Sequence, residues 1–188
     1  MRLTEKVHEI LKEHLQTGDR VIDATAGNGH DTLFLADQVG ASGQVIAIDI
    51  QECAIQSARE KLCAASLEDR VTLVQGDHAT QLVALCEQYH KGIAAIVFNL
   101  GYLPGSDKAV QTQSTNTRQA LDAALLLIRP QGRLCVTAYC GHPGGAEEAQ
   151  NVKDWMQAQQ SIGHRVECHR PPSNNTPPVL WVLQVARG

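Results

Sequence analysis

Val21-Ile22-Asp23-Ala24-Thr25-Ala26-Gly27-Asn28-Gly29-His30-Asp31-Thr32 combines a short apolar run, two glycines one residue apart and a polar helix opening. Glycine admits the backbone conformations of a tight turn, and its missing Cβ lets a ligand lie against bare backbone at a helix N-terminus. The next apolar run, Val45 to Ile48, ends in Asp49. An acid at the tip of a second strand is where a doubly wound sheet holds ribose hydroxyls. The first 50 residues therefore predict a nucleoside-bearing ligand.

The glycines argue against a dinucleotide. That fingerprint needs a third glycine for close helix–strand packing, and its place falls on Thr32. Asp23 precedes the turn and Asp31 follows it, and carboxylates repel a pyrophosphate. They suit a ligand with an ammonium and a sulfonium group and no phosphate, which is the make-up of S-adenosylmethionine. An NAD-dependent oxidoreductase is the remote alternative.

The rest of the chain alternates between two periodicities. Helical patterns are predicted over 4–16, 32–39, 52–65, 79–89, 114–128 and 146–160, and strands over 20–23, 44–49, 71–74, 93–98, 133–138, 164–169 and 179–186. Strands alternating with helices specify an α/β fold, a doubly wound, mostly parallel sheet of seven strands. No helix separates the last two strands, so the final one is predicted antiparallel. This is the Rossmann-like layout of the class I methyltransferases, and the 188 residues read as one domain, 1–188, without internal repeats.

Composition narrows the setting. No apolar run approaches a membrane span, and the charged N-terminus lacks an export signal, which predicts a cytoplasmic protein. The six cysteines form no CxxC pair, so neither a metal site nor a disulfide framework is expected, and buried, reduced thiols are. The net charge of −4 disfavours non-specific binding to long duplexes without excluding a local basic patch.

In this layout the loops after the strands carry the chemistry. After the third strand come Asp77 and His78. Asp77 fits an acceptor for an adenine amino group and equally a helix N-cap. The fourth strand ends in Asn99-Leu100-Gly101-Tyr102-Leu103-Pro104. Asn99 and Tyr102 keep the spacing by which amine methyltransferases place an amide and an aromatic ring against a planar amine. An amide carbonyl that accepts the amine hydrogens directs the nitrogen lone pair. Lys108 is a candidate phosphate contact, and Tyr139 and His142 stand in a shaped Gly/Pro loop after the fifth strand. Thr115, Thr117 and Arg118 open a helix that could meet an anion, and Asn175 lies in a proline-rich rim.

The motifs at 23–32, at 99–108 and Gly141-His142-Pro143-Gly144-Gly145 together resemble the YtqB-like group of class I methyltransferases, whose members act as tRNA 5-(aminomethyl)-2-thiouridine methyltransferases. The resemblance covers nearly the whole chain. It implies S-adenosylmethionine as methyl donor and the wobble uridine of a tRNA anticodon loop as acceptor. It implies cofactor contacts from Asn28, Asp31, Asp49, Gln51 and His78, beside Thr25, Gly27, Gly29, Thr32 and Asp77 of the same loops. It puts Tyr102 and His142 beside the modified uridine, so that Asn99, Tyr102 and His142 are the candidate catalytic residues, and the loops offer Leu103, Lys108, Arg118, Tyr139 and Asn175 as candidate substrate contacts. A homodimer is a candidate source of further RNA-binding surface. A small-molecule amine or rRNA as substrate, and a cofactor-binding module without turnover, are the competing expectations.

Overall fold

The computed structural model describes residues 2–101, 114–141, 143–171 and 178–187. An opening helix, α1 (Leu3–Lys12), precedes β1 (Arg20–Asp23), α2 (His30–Val39), β2 (Gln44–Asp49) and α3 (Glu52–Ala65). There follow β3 (Val71–Gln75), α4 (His78–Tyr89), β4 (Ile93–Leu100), α5 (Ser114–Leu127), β5 (Ile128–Ala138), α6 (Gly145–Ser161), β6 (Arg165–His169) and β7 (Val179–Gln184). The strands form one sheet in the order β3-β2-β1-β4-β5-β7-β6. The first five pair in parallel, and β7 runs antiparallel to both β5 and β6.

Strand alternation divides the core between the two faces. Val21, Ala95 and Val97 face one layer with Leu3, Val7 and Leu11 of α1, Leu35 and Val39 of α2 and Leu62 of α3. Ile22, Ile96 and Phe98 face the other, with Leu82 of α4, Leu121 and Leu127 of α5 and Trp155 of α6. A sheet covered on both faces explains why β4 reads as an unbroken apolar run. The order reverses direction between β1 and β4, and a doubly wound sheet opens its ligand crevice beyond the strand ends at such a switch.

Three expectations need correction. The fifth strand does not start at Arg133, and Ile128 does not belong to the preceding helix. Instead β5 begins at Ile128, paired with Ile93, and resumes register at Ala95 and Arg133 after an irregularity. Proline is tolerated at such a bulge. Gly132 completes it, because a Cβ there would meet Ile128 Cγ2 at 2.4 Å and the Ala94 carbonyl oxygen at 2.9 Å. The cysteines are free, but Cys53, Cys63 and Cys168 are exposed and Cys135 alone is fully buried. Thr117 does not present its hydroxyl to a ligand anion: it is buried, and the hydroxyl donates to the Glu148 carboxylate of α6.

Candidate active site

The ends of β1, β2 and β4 converge at the switch point. Gly29 precedes α2 with φ +77°, and a Cβ on it would lie 2.7 Å from Ala58 Cα and 2.9 Å from Ala58 Cβ on α3. The turn therefore packs against α3 only because this position has no side chain. Asp49 ties the turn to β2: its Oδ2 accepts the Gly27 N–H at 2.8 Å and its Oδ1 the Gln51 N–H at 2.9 Å. Each carboxylate oxygen has a second lone pair, so Asp49 remains able to accept ribose hydroxyls. Lys61 of α3 donates to the Asn28 carbonyl at 2.6 Å, a tether with no local signal in the sequence.

Beneath the turn lies Asp23, completely buried. Its Oδ2 accepts the Thr32 hydroxyl at 2.6 Å, and its Oδ1 accepts the Thr25 N–H at 3.3 Å. Thr32 is equally buried, so its side chain braces Asp23 from below. Burial first, and then the charge of Asp31, push the Asp23 carboxyl up from 3.8 to about 7. The folded chain thus keeps a proton that the unfolded chain releases. This group should erode stability as pH rises from about 4 to about 7 and do so no further above that range. Thermal denaturation across that window should show a flatter dependence for Asp23→Asn than for the parent. Parallel curves would show that Asp23 is already ionised in the fold.

Asn99 sits at the far lip of the crevice. Its N–H donates to the Thr25 hydroxyl at 2.7 Å, binding β4 to β1, and its side-chain Nδ2 donates to Asp31 Oδ2 at 2.7 Å. That contact settles the amide's direction, since the nitrogen end must face a carboxylate and the carbonyl end points away from it. The other Asp31 oxygen meets His8 Nε2 at 2.6 Å, and the His8 ring stacks on Phe34 at 3.9 Å and 6°. His8 was missed in the sequence. Its one signal is a place next to Val7 on the buried stripe of α1.

Asp77 caps α4, accepting the Thr80 N–H at 3.0 Å, while its other oxygen accepts Asn116 Nδ2 at 3.2 Å. His78 is buried against the edge of Phe98, and burial lowers its pKa, favouring the neutral ring. Its Nε2 is a buried polar atom without a hydrogen-bond partner among the described residues. Tyr139 follows β5 and borders a cavity of about 610 Å³ with Arg2, Glu5, Pro171 and Pro178. Arg118 is exposed on α5. Tyr102, Leu103, Lys108, His142 and Asn175 lie outside the described residues.

The site suits S-adenosylmethionine better than a dinucleotide. A glycine turn exposes backbone at a helix start, Asp31 and Asp49 lie close enough to raise the proton affinity of Asp23, and His78 Nε2 is a buried polar atom orphaned among the described residues. The residues present therefore fit a cationic nucleoside ligand. Among the described residues no cluster of metal-binding side chains occurs, and no helix is long and apolar enough to cross a membrane.

Sheet order, reversed last strand and acid-lined glycine turn define the class I methyltransferase fold. The family model described as "Putative rRNA methylase" matches residues 45–184, and the chain belongs to that family. A solved "putative rRNA-methylase" from Clostridium thermocellum is 35% identical, with a TM-score of 0.88 and 96% of each chain covered. A "putative methyltransferase" from Streptococcus mutans, in complex with SAH, is 33% identical, with a TM-score of 0.84 and 98% of each chain covered. The chloroplastic tRNA (mnm(5)s(2)U34)-methyltransferase of Arabidopsis thaliana is 38% identical over 81% of this chain. The chain spans 58% of that relative's length.

Proposed function

We propose that this chain is an S-adenosylmethionine-dependent N-methyltransferase. Its proposed acceptor is the aminomethyl nitrogen of 5-aminomethyl-2-thiouridine at the tRNA wobble position. The observation that carries the reading is the direction of the Asn99 amide: with Nδ2 given to Asp31, the carbonyl oxygen is the arm left to accept an amine hydrogen. The Arabidopsis relative, described as acting at U34 of tRNA, supports the choice of acceptor. The SAH-bound Streptococcus relative supports the choice of donor.

S-adenosylmethionine supplies a methyl group made electrophilic by its sulfonium charge. Gly27, Asn28 and Gly29 would lay backbone against its methionine portion, with Thr25 on the β1 side. Asp49 and Gln51 would hold the ribose, and Asp77 and His78 the adenine. Asn99 would fix the amine's N–H bonds and so aim its lone pair. Tyr102 and His142 are proposed beside the uridine, with Leu103, Lys108, Arg118, Tyr139 and Asn175 on the RNA side. A single-stranded anticodon loop is read by stacking and edge contacts as well as by charge. That is compatible with a net charge of −4, and a second copy of the chain would extend the RNA-binding surface.

Asp49→Ala should weaken SAH binding by roughly 10- to 100-fold, the range for lost hydrogen bonds to a charged group, as read by calorimetry. Unchanged affinity would remove Asp49 from the ribose site. The acidic charge balance favours one competitor, a small-molecule amine substrate. Incubation with labelled cofactor and tRNA from a strain lacking the modification, followed by nucleoside analysis, separates the two. Label in 5-methylaminomethyl-2-thiouridine supports the tRNA reading, and label absent from every nucleoside overturns it.

A further inference from the structure

We propose that Asp31 and His8 are positioning residues that hold the Asn99 amide in its working direction. The inference rests on the reading of Asn99 as the amine acceptor given above. Asp31 is 8% exposed and bridges two elements that do not adjoin it in sequence. Its Oδ2 takes Asn99 Nδ2 at 2.7 Å from β4, and its Oδ1 meets His8 Nε2 at 2.6 Å from α1.

An amide can turn end for end with little change of shape, so only its partners choose between the two orientations. Turned over, Asn99 would set a carbonyl oxygen against a carboxylate and offer the substrate amine its own N–H groups, a donor facing a donor. Asp31 forbids that state. The Asn99 N–H bonded to Thr25 fixes the backbone from which the amide swings, which leaves the end-to-end choice to Asp31.

His8 fixes Asp31 in turn. Its ring is clamped on Phe34, 3.9 Å between centroids and nearly parallel, so Nε2 stands at a set point on the outer side of the carboxylate. One Asp31 oxygen is thereby committed to α1 and the other to Asn99. The opening helix, which precedes every strand of the sheet, thus reaches the reacting end of β4 through two hydrogen bonds. Towards the substrate amine Asp31 and His8 act through Asn99, and His8 need touch neither ligand.

Asp31→Ala, Asn99→Ala and the double variant form a thermodynamic cycle, with His8→Phe as a variant that keeps a ring on Phe34. On undermodified tRNA, Asp31→Ala should lower kcat by about 10-fold or more alone, and by less than about 2-fold when Asn99 is already alanine. His8→Phe should lower kcat about 3-fold or more and leave the melting temperature near that of the parent. SAH affinity by calorimetry should stay within about 3-fold in His8→Phe, whose ring lies behind the Asp31 carboxylate. A second readout needs no turnover. In the cofactor-free protein the Asn99 side-chain amide signals, assigned by NMR, should shift and exchange faster in Asp31→Ala, and less so in His8→Phe.

Additive losses of kcat, or unchanged Asn99 amide signals, would overturn the proposal. So would SAH affinity that falls in step with kcat in His8→Phe, which would make His8 a support of the cofactor site. Should the parent leave this tRNA unmethylated, the substrate reading fails, and the amide signals still decide whether Asp31 orients Asn99.

Discussion

Replacing Asn99 with alanine is expected to lower kcat by roughly 100-fold or more while leaving SAH affinity within about 3-fold. The side chain meets Asp31, and its backbone N–H, which survives the substitution, keeps the link to Thr25. What disappears is the carbonyl that would aim the amine, an interaction whose value lies in orientation at the transition state. The prediction is therefore specific: kcat falls, binding of the cofactor product does not. Steady-state kinetics on undermodified tRNA with parallel calorimetry reads both. Equal loss of turnover and SAH affinity would make Asn99 a support of the crevice and would leave the amine clamp without its central residue.

Gly29→Val is expected to be the most damaging single change to the fold and the cofactor site together. At φ +77° a β-branched residue is strained by about 1–2 kcal/mol. Its Cβ would also press on Ala58, where the backbone Cα stands 2.7 Å away. Overpacking of that kind typically costs about 1–3 kcal/mol. The combined loss, on the order of 3 kcal/mol, is a large share of the roughly 5–15 kcal/mol that holds a domain folded. Denaturant unfolding should show it, with SAH binding lost wherever the variant remains folded. Gly141→Ala is the control for stability, since a Cβ at Gly141 meets nothing within 4 Å among the described residues, and it should unfold close to the parent. Parent-like stability and SAH affinity in Gly29→Val would mean the turn can move away from α3.

Much of the fold was legible in the sequence because its signals are local. The runs that became β1, β2 and α3 have the bounds that hydrophobic period and glycine punctuation predict, and the missing helix before β7 announces its reversal. The start of β5 was not legible. Pro130 ordinarily ends a strand, and only the pairing of Ile128 with Ile93 keeps it within one. The exposure of Cys53, Cys63 and Cys168 was hidden for a related reason: helix and strand faces depend on which neighbours arrive.

The site divides the same way. Asp23, Asp49 and the glycine turn lie within one βαβ stretch and could be read together. The partners that give those residues direction could not. Asp31 reaches Asn99 across 68 positions and His8 across 23, and Lys61 reaches the Asn28 carbonyl across 33. None of these contacts has a spacing rule.

The acid-lined turn after β1 is the proposed seat of a cationic methyl donor. Titration of the purified chain with SAH and S-adenosylmethionine, with NADH as comparison, tests it most directly. Both sulfur ligands should give saturable heat, one site per chain, weakened by Asp49→Ala, and NADH should give none. Heat from NADH alone, or from no ligand of the three, would contradict it.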